Sequence, residues 1–321
     1  MTSALPALVV GEALVDIITD PDGPSRSHPG GSPANVALGL GRLGHPVRLA
    51  TRVGHDDFGH LLQRHLKHSG VELTTGSVVD AATSTATAVL DAAGAARYTF
   101  DITWALPTAV EEALLEVPAV HVHTGSIATA LSPGADQVLT ALRALRASAT
   151  VSYDPNLRPA LLRSPWEERE QVEQFAALSD VVKASEEDLA WLYPGVTPDK
   201  TAARWARSGP ALVVLTRGAD GAQAWWRHGC QDIAPVPVRV VDTVGAGDAF
   251  MAGLVSRLLH AGLLGGGPGT EAETARTALH TATDTDRLPA ILDEAVATAS
   301  RAAALTCARE GADPPTAAEL M

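Results

Sequence analysis

The sequence predicts an α/β protein: a mostly parallel central sheet flanked by helices on both faces, with a small β-sheet beside it. Three observations predict this. From Ala119 onward, short apolar runs alternate with stretches of helical period, the β-α-β pattern of a parallel sheet covered on both sides. Earlier, two β-rich runs flank Ala92-Ala93-Gly94, which reads as a hairpin. Finally, hydrophobic residues make up 46 % of 321 residues while aromatics are 4 %, so the core is built from Ala, Val and Leu. A chain of this length buries most of its unfolded surface without disulfide or metal staples.

Taken in order, "ALVVGE" is a first buried strand and "ALVDII" continues extended. "SPANVALGLGRLG" is a helix, with Ser32 as the cap and Pro33 in the first turn. "VRLATRVG" is a strand, and "DDFGHLLQRHLKHSG" a helix ended by Gly70. The hairpin follows. "AVHVHTG", "TVSYD", "DVVKAS" and "ALVVLTRG" are strands, separated by helices at "GADQVLTALRALRA", "SPWEEREQVEQFAALS" and "EEDLAWL". "GAQAWWRHG" and "CQDIAPVPVRVVD" are extended. "GDAFMAGLVSRLLHAG" and "LDEAVATASRAAALTCARE" are helices, and the Gly-, Ala- and Thr-rich stretch from 264 to 285 is a loop with a weak helix. There is no internal repeat and no linker.

Several functions are excluded. A net charge of −13 argues against nucleic acid and against anionic membrane surfaces. The apolar N-terminal run is broken by Glu12 and Asp16, too early for a membrane span. Cys230 and Cys307 lie far apart and read as reduced thiols, which places the protein in the cytoplasm. Gly39 to Gly44 matches G-x-G-x-x-G, but it closes a helix instead of opening one. A dinucleotide site needs the opposite polarity, so these glycines read as a helix end packed closely on the sheet. No Walker-type loop occurs. His121 and His123 share one strand face without a third ligand, which favours a structural role over a metal site.

"RVVDTVGAGDAFMAGLV" carries the chemistry. Its first half reads as a strand and its second as a helix, with Gly245, Ala246 and Gly247 at the joint. A helix N-terminus has free N–H groups and the positive end of the dipole, and small residues let a phosphate come close. Asp248 beside such an anion site needs a reason. Either it accepts a proton from a hydroxyl that attacks phosphorus, or it merely caps the helix. The residues alone leave both open.

"DTVGAGDAF" resembles the C-terminal signature of the ribokinase (PfkB) family of carbohydrate kinases, and "GGSPANVALGLGRLG" the N-terminal one. "TRVGHDDFGHLL", "YDPNLRPAL", "VVKASEEDLAWL" and "LVVLTRGADGA" fall in the family's order, so the resemblance spans roughly residues 8 to 315. It implies a single ribokinase-like domain over 1–321, with a lid formed by about 12–32 and 84–106. It makes Asp248 the general base, with Gly245, Ala246, Gly247 and the Asp248 amide as the anion hole. Asp16, Gly31 and Asn35 match sugar-contacting positions. The residues alone also allow Asp16 as a turn residue and Asn35 as a local cap.

The resemblance further implies ATP and Mg²⁺, with Lys183, Ser185, Thr216, Gly218, Gly221, Gly247 and Ser300 on the nucleotide side. Ser185 and Asp188 also read as a capping box. They stand where the family has N-x-x-E, so Asp188 reaches Mg²⁺ through water at most. Asp242 matches a monovalent cation site, commonly potassium, or caps its loop. Arg158 in "DPNLR" lies at a strand's C-terminal end, where open α/β sheets bind ligands. That form is similar to the fructokinase and ketodeoxygluconate kinase branches, and Arg97 on the hairpin is the second basic group an acidic sugar would call for. The implied activity is transfer of ATP's γ-phosphoryl group to a sugar's primary hydroxyl, with fructose as the expected acceptor. The alternatives are 2-keto-3-deoxygluconate kinase, ribokinase, a nucleoside kinase, or a silent sugar-binding regulator on the same fold. A homodimer through the lid is also implied.

Overall fold

The computed structural model describes residues 5–19, 23–90, 96–116 and 118–320; of residues 89–90 and 96–98 only the backbone is described. The strands, in chain order, are β1 (Ala7–Val10), β2 (Leu14–Thr19), β3 (Ser25–Gly30), β4 (Val47–Ala50), β5 (Val53–Gly54), β6 (Val71–Leu73), β7 (Val78–Val79), β8 (Thr85–Leu90), β9 (Ala96–Asp101), β10 (His121–Gly125), β11 (Thr150–Asp154), β12 (Val181–Ser185), β13 (Leu212–Thr216), β14 (Ala222–Trp226) and β15 (Gly229–Ile233). The helices are α1 (Ser32–Arg42), α2 (Asp57–His68), α3 (Thr108–Glu116), α4 (Gly134–Leu145), α5 (Pro165–Leu178), α6 (Glu186–Leu192), α7 (Pro198–Trp205), α8 (Ala246–His260), α9 (Glu271–Thr283), α10 (Ala290–Cys307) and α11 (Ala317–Leu320).

The central sheet runs β15-β14-β13-β12-β11-β10-β1-β4-β6. It is parallel from β6 to β13, and β14 and β15 continue it antiparallel. β1, β10 and β11 are buried along their whole length, as strands covered by helices on both faces are, although β10 and β11 carry buried polar residues such as His121, His123, Ser152 and Asp154. One face is covered by α1, α2, α8, α9 and α10, through residues such as Leu40, Leu62, Met251, Leu279 and Val296. The other is covered by α3 to α7, through Val110, Leu142, Phe175, Leu189 and Trp205. A second sheet, β3-β2-β8-β9, stands beside it. The hairpin is there as the antiparallel pair β8–β9, while its turn at Ala92-Ala93-Gly94 and the side chain of Arg97 lie outside what is described.

The structure corrects four local expectations. The N-cap of α1 is Gly31, at φ 100°, and Ser32 makes no cap bond because its hydroxyl is drawn to a buried carboxylate. "RVVD" is in no strand: Pro235 and Pro237 remove ladder donors, and Val240 and Val241 are exposed. The glycines of α1 pack only partly on the sheet: Gly41 lies against Val71 of β6, at 3.2 Å from a Cβ placed there, while Gly39 faces another helix. A Cβ on Gly39 would lie 2.6 Å from Ala252 Cβ in α8, and one on Gly41 2.2 Å from Ser69 O. The 264–285 stretch contains a regular helix, α9, held by Leu279 and Arg276. Six elements were not read at all: β3, β6, β7, α3, α7 and α11. β3 is polar and carries Pro29, which an edge strand tolerates. α3 and α7 are short, each following a proline-led turn.

Candidate active site

The site forms at the C-terminal ends of the parallel strands, where α8 and α1 meet. Glycines decide how closely those helices approach. Gly39 lets α1 lie against α8, and Gly253 does the same between α8 and α10, where a Cβ would stand 3.1 Å from Ala299 Cα. Gly245 turns the chain into α8 with φ 73°, and a side chain there would also strike Ala312. Asp242 sets that turn: its Oδ1 accepts from Val244 N at 3.0 Å and its Oδ2 from Gly311 N at 2.8 Å. In the present structure, therefore, Asp242 acts as a loop cap.

Asp248, in the first turn of α8, is 5 % exposed. Its carboxylate caps nothing in its own helix. Oδ1 accepts from Ser32 Oγ at 2.7 Å and Asn156 Nδ2 at 3.3 Å, and Oδ2 from Asn35 Nδ2 at 2.8 Å. Asn156 Nδ2 also donates to Ser32 Oγ at 2.8 Å. Three side chains from two distant segments thus aim one carboxylate into a cleft of about 340 Å³. That is a small-molecule volume. Asp16, Gly31, Asn35, Arg158, Gly245, Gly247 and Asp248 all line it.

Across the cleft, Asp16 projects from β2, and Gly30 leaves room for it: a Cβ there would fall 2.2 Å from Asp16 Oδ2. Burial raises the Asp16 pKa, Arg158 and His28 draw it back, and Asp248 adds to the rise. Arg158 is exposed and donates to Asn156 O at 2.9 Å, so its charge is steered by the turn it follows. Phe100 and Ala86 supply the apolar part of the small-sheet wall.

Behind the anion hole lies a buried ion pair, Lys183 Nζ to Asp154 Oδ2, at 2.8 Å. Lys183 Nζ comes within 3.0 Å of where a Cβ on Gly247 would be, which brings the ammonium up against the start of α8. Burial raises the Asp154 pKa to about 6, against the pull of Lys183. Burial disfavours the Lys183 charge, but Asp154 outweighs it and the ammonium is held protonated.

Of the nucleotide-side candidates, Gly247 lines this cleft, and Lys183, Ser185, Thr216, Gly218, Gly221 and Ser300 do not. Ser185 and Thr216 are register partners at the ends of β12 and β13. Gly218 (φ 52°) and Gly221 (φ 90°) shape the turn that follows, where a Cβ on Gly221 would meet Ile233 O at 2.4 Å. Ser185 and Asp188 form the capping box, and Asp188 Oδ1 also accepts from Leu157 N at 2.8 Å. Ser300 is buried in α10 and donates to Val296 O of its own helix. His121 and His123 are buried, hydrogen-bonded to Thr150 and Ser152, and burial lowers both pKa values. Among the described residues, no group of three His, Cys, Asp or Glu could hold a metal ion, and no helix is long and apolar enough to cross a membrane.

Polar lining groups that were not read as site residues include Ser32, Glu12, Ser126 and Thr243. Ser32 was taken for a cap. Glu12 served only to break an apolar run, and Ser126 carried no signal. Glu12 is 3 % exposed, with Oε2 accepting from Ala128 N at 2.9 Å. An acid two residues beyond a buried strand was the one available clue.

Comparison with known proteins agrees with this geometry. The pattern of the pfkB family carbohydrate kinase matches residues 7–318. A fructokinase of Klebsiella pneumoniae is 37 % identical over 261 residues, 79 % of this chain and 85 % of that one. Among solved structures, a double mutant of Vibrio cholerae O395 fructokinase, bound to fructose, ADP and a potassium ion, superposes with a TM-score of 0.74. It is 29 % identical, with 97 % of this chain and 95 % of that chain covered. Fructokinase from Xylella fastidiosa with bound ATP gives a TM-score of 0.81 at 25 % identity, covering 98 % and 96 %.

Proposed function

The chain belongs to the pfkB family of carbohydrate kinases, and from that premise we propose that it transfers the γ-phosphoryl group of ATP to a primary hydroxyl of fructose. The observation that carries the reading is Asp248, an ionisable carboxylate at the mouth of a helix, held by Ser32, Asn35 and Asn156 and facing a sugar-sized cleft.

In this reading Asp248 accepts the proton of the attacking hydroxyl. The sugar oxygen forms a bond to the γ-phosphorus as the bond from phosphorus to the bridging oxygen breaks, and ADP leaves with that oxygen. The three donors keep the carboxylate oriented before the sugar arrives. The amides from Gly245 to Asp248 meet the charge that develops on the phosphoryl oxygens, with the helix dipole behind them. Lys183 adds a fixed positive charge beneath Gly247. Asp16, Gly31, Asn35, Arg97 and Arg158 hold the sugar. Lys183, Ser185, Thr216, Gly218, Gly221 and Ser300 mark the nucleotide side.

Asp188 is engaged by two backbone N–H groups, which suits a magnesium ion carried in by the nucleotide's phosphates better than a protein cage. Magnesium so bound neutralises charge on the transferring group. Asp242 is the group we assign to a monovalent cation. We read the chain as one domain whose lid is formed by about 12–32 and 84–106. The edge strand β9 is then free to pair with a second copy, and the enzyme works in the cytoplasm.

The test is a coupled ADP-release assay with Mg·ATP against fructose, ribose, ketodeoxygluconate, tagatose and a nucleoside. Fructose should give the highest kcat/KM. A higher value for another acceptor overturns the fructose assignment. Measurable sugar binding without turnover would identify a binding protein instead.

A further inference from the structure

The sugar cleft has a polar end that the phosphoryl-transfer chemistry does not use. Glu12 lies between β1 and β2, and Ser126 opens the turn after β10. Both line the cleft that contains Asp248. Glu12 is 3 % exposed and Ser126 3 %. One Glu12 oxygen is satisfied by Ala128 N. The other, Oε1, and Ser126 Oγ have no hydrogen-bond partner elsewhere in the protein; the Ser126 hydroxyl interacts with the Glu12 carboxyl and draws its pKa down.

A buried polar atom without a partner costs roughly 1–3 kcal/mol, so native proteins rarely leave two of them side by side without use. The surroundings hold the arrangement in place. Ser126 sits at φ 55°, unusual for a residue with a side chain, and its amide donates to Pro155 O at 3.2 Å. The Glu12 carbonyl lies where a Cβ on Gly31 would stand 2.6 Å away, so the backbone around Glu12 is fixed by the same glycine that starts α1.

We propose that Glu12 Oε1 and Ser126 Oγ together bind one hydroxyl of the sugar and make the kinase require it, the carboxyl group accepting and the serine hydroxyl completing the pair. A sugar hydroxyl is both donor and acceptor, so it can satisfy the two orphans at once. A ligand lacking that hydroxyl leaves the pair buried with no partner beyond each other, and a polar site left short of partners rejects an analogue strongly. Burial pushes the Glu12 pKa up to about 7, consistent with a group the fold keeps dry for a ligand. This assignment rests on the sugar kinase reading above, since it concerns the same cleft. Glu12 and Ser126 are positioning and specificity residues, and the proton transfer remains with Asp248.

The test is a calorimetric and kinetic series with fructose and a set of monodeoxyfructoses, each lacking one hydroxyl, on wild type, Glu12→Gln and Ser126→Ala. Glu12→Gln keeps an acceptor for Ala128 N. Ser126→Ala leaves that bond untouched and guards against a folding defect in the first variant. For one analogue, wild type should lose binding by about tenfold or more, and both variants by less than about threefold. Every other analogue should keep its wild-type penalty in all three proteins. KM for fructose should rise in both variants, with KM for ATP and kcat near wild type. Equal penalties in all three proteins for every analogue would overturn the assignment and leave the two atoms to an ordered water. If wild type turns over a different sugar instead of fructose, the fructose reading falls, and the same comparison on that sugar's deoxy analogues decides the role of Glu12 and Ser126.

Discussion

The two sheets that enclose the cleft are built to different standards. β10 and β11 are buried at every residue, under helices on both faces. β2 is buried only at Leu14 and Val15, and β3 is half-buried or exposed until Gly30. Four short strands with one face so open are marginal without a partner surface. The difference teaches a division of labour. Asp248, its three donors and the glycine-rich start of α8 hang on the central sheet and on α1 and α8, which cannot shift without disturbing a packed core. The small sheet contributes Asp16 and the apolar wall of Ala86 and Phe100. Glu12 sits at the junction of the two.

The largest expected effect tests the central-sheet side. Asp248→Asn should lower kcat by roughly 100- to 10,000-fold, the usual worth of a placed general base. Its melting temperature should stay near wild type, because Asn still accepts from Ser32. A variant that keeps kcat but loses fructose affinity would break the division, since the core side would then be binding and not catalysing.

At the junction, the sign of a pH effect can be worked out. Glu12 has a folded pKa of about 7 against an ordinary 4.5, raised by burial and opposed by its own backbone, Ala128, Ser126 and Arg158. Asp16 and Asp248 line the same cleft and carry the same sign of charge. A carboxyl raised in this way favours the folded state fully below pH 4.5 and loses that contribution as pH climbs through 7, a change of about 3 kcal/mol. Glu12→Gln has no proton to lose. Its stability relative to wild type, from denaturant melts, should therefore rise between pH 4.5 and 7 and then level off. A difference that stays flat over that window would show that Glu12 is solvated in solution.

The smallest effect belongs to the small sheet. Asp16→Asn should raise KM for fructose by about tenfold while kcat changes by less than about threefold, as expected for a hydroxyl-binding group away from the reacting atoms. Equal losses in kcat and kcat/KM would sharpen the picture differently, by making the lid part of the transition-state machinery.

Much of this was legible in the chain. The apolar runs of β1, β10, β11, β12 and β13 announce strands buried on both faces, and the helices between them follow from period. Gly245-Ala246-Gly247-Asp248 announces a helix start with room for an anion and a carboxylate beside it, although the strand expected before it is absent and the residues alone left the role of the carboxylate open. β3 was invisible: its sequence, SRSHPG, has no alternation, and its pairing with β2 supplies what propensity does not. "RVVD" failed in the other direction, with strand-like residues and no neighbouring strand to pair with.

The sequence by itself therefore determined the layers, the carboxylate and the amides, since these depend on local period and on which residues can stand at a helix start. Only the tertiary structure decided that Asp248 is held by Ser32, Asn35 and Asn156 and does not cap α8, and that Glu12 and Ser126 share a wall of the same cleft. Those pairings join residues 216, 213 and 92 positions apart for Asp248. They arise from helix approach distances that Gly39 and Gly253 permit. Local composition can say that a buried carboxylate needs donors. It cannot say which distant donors the packing will bring.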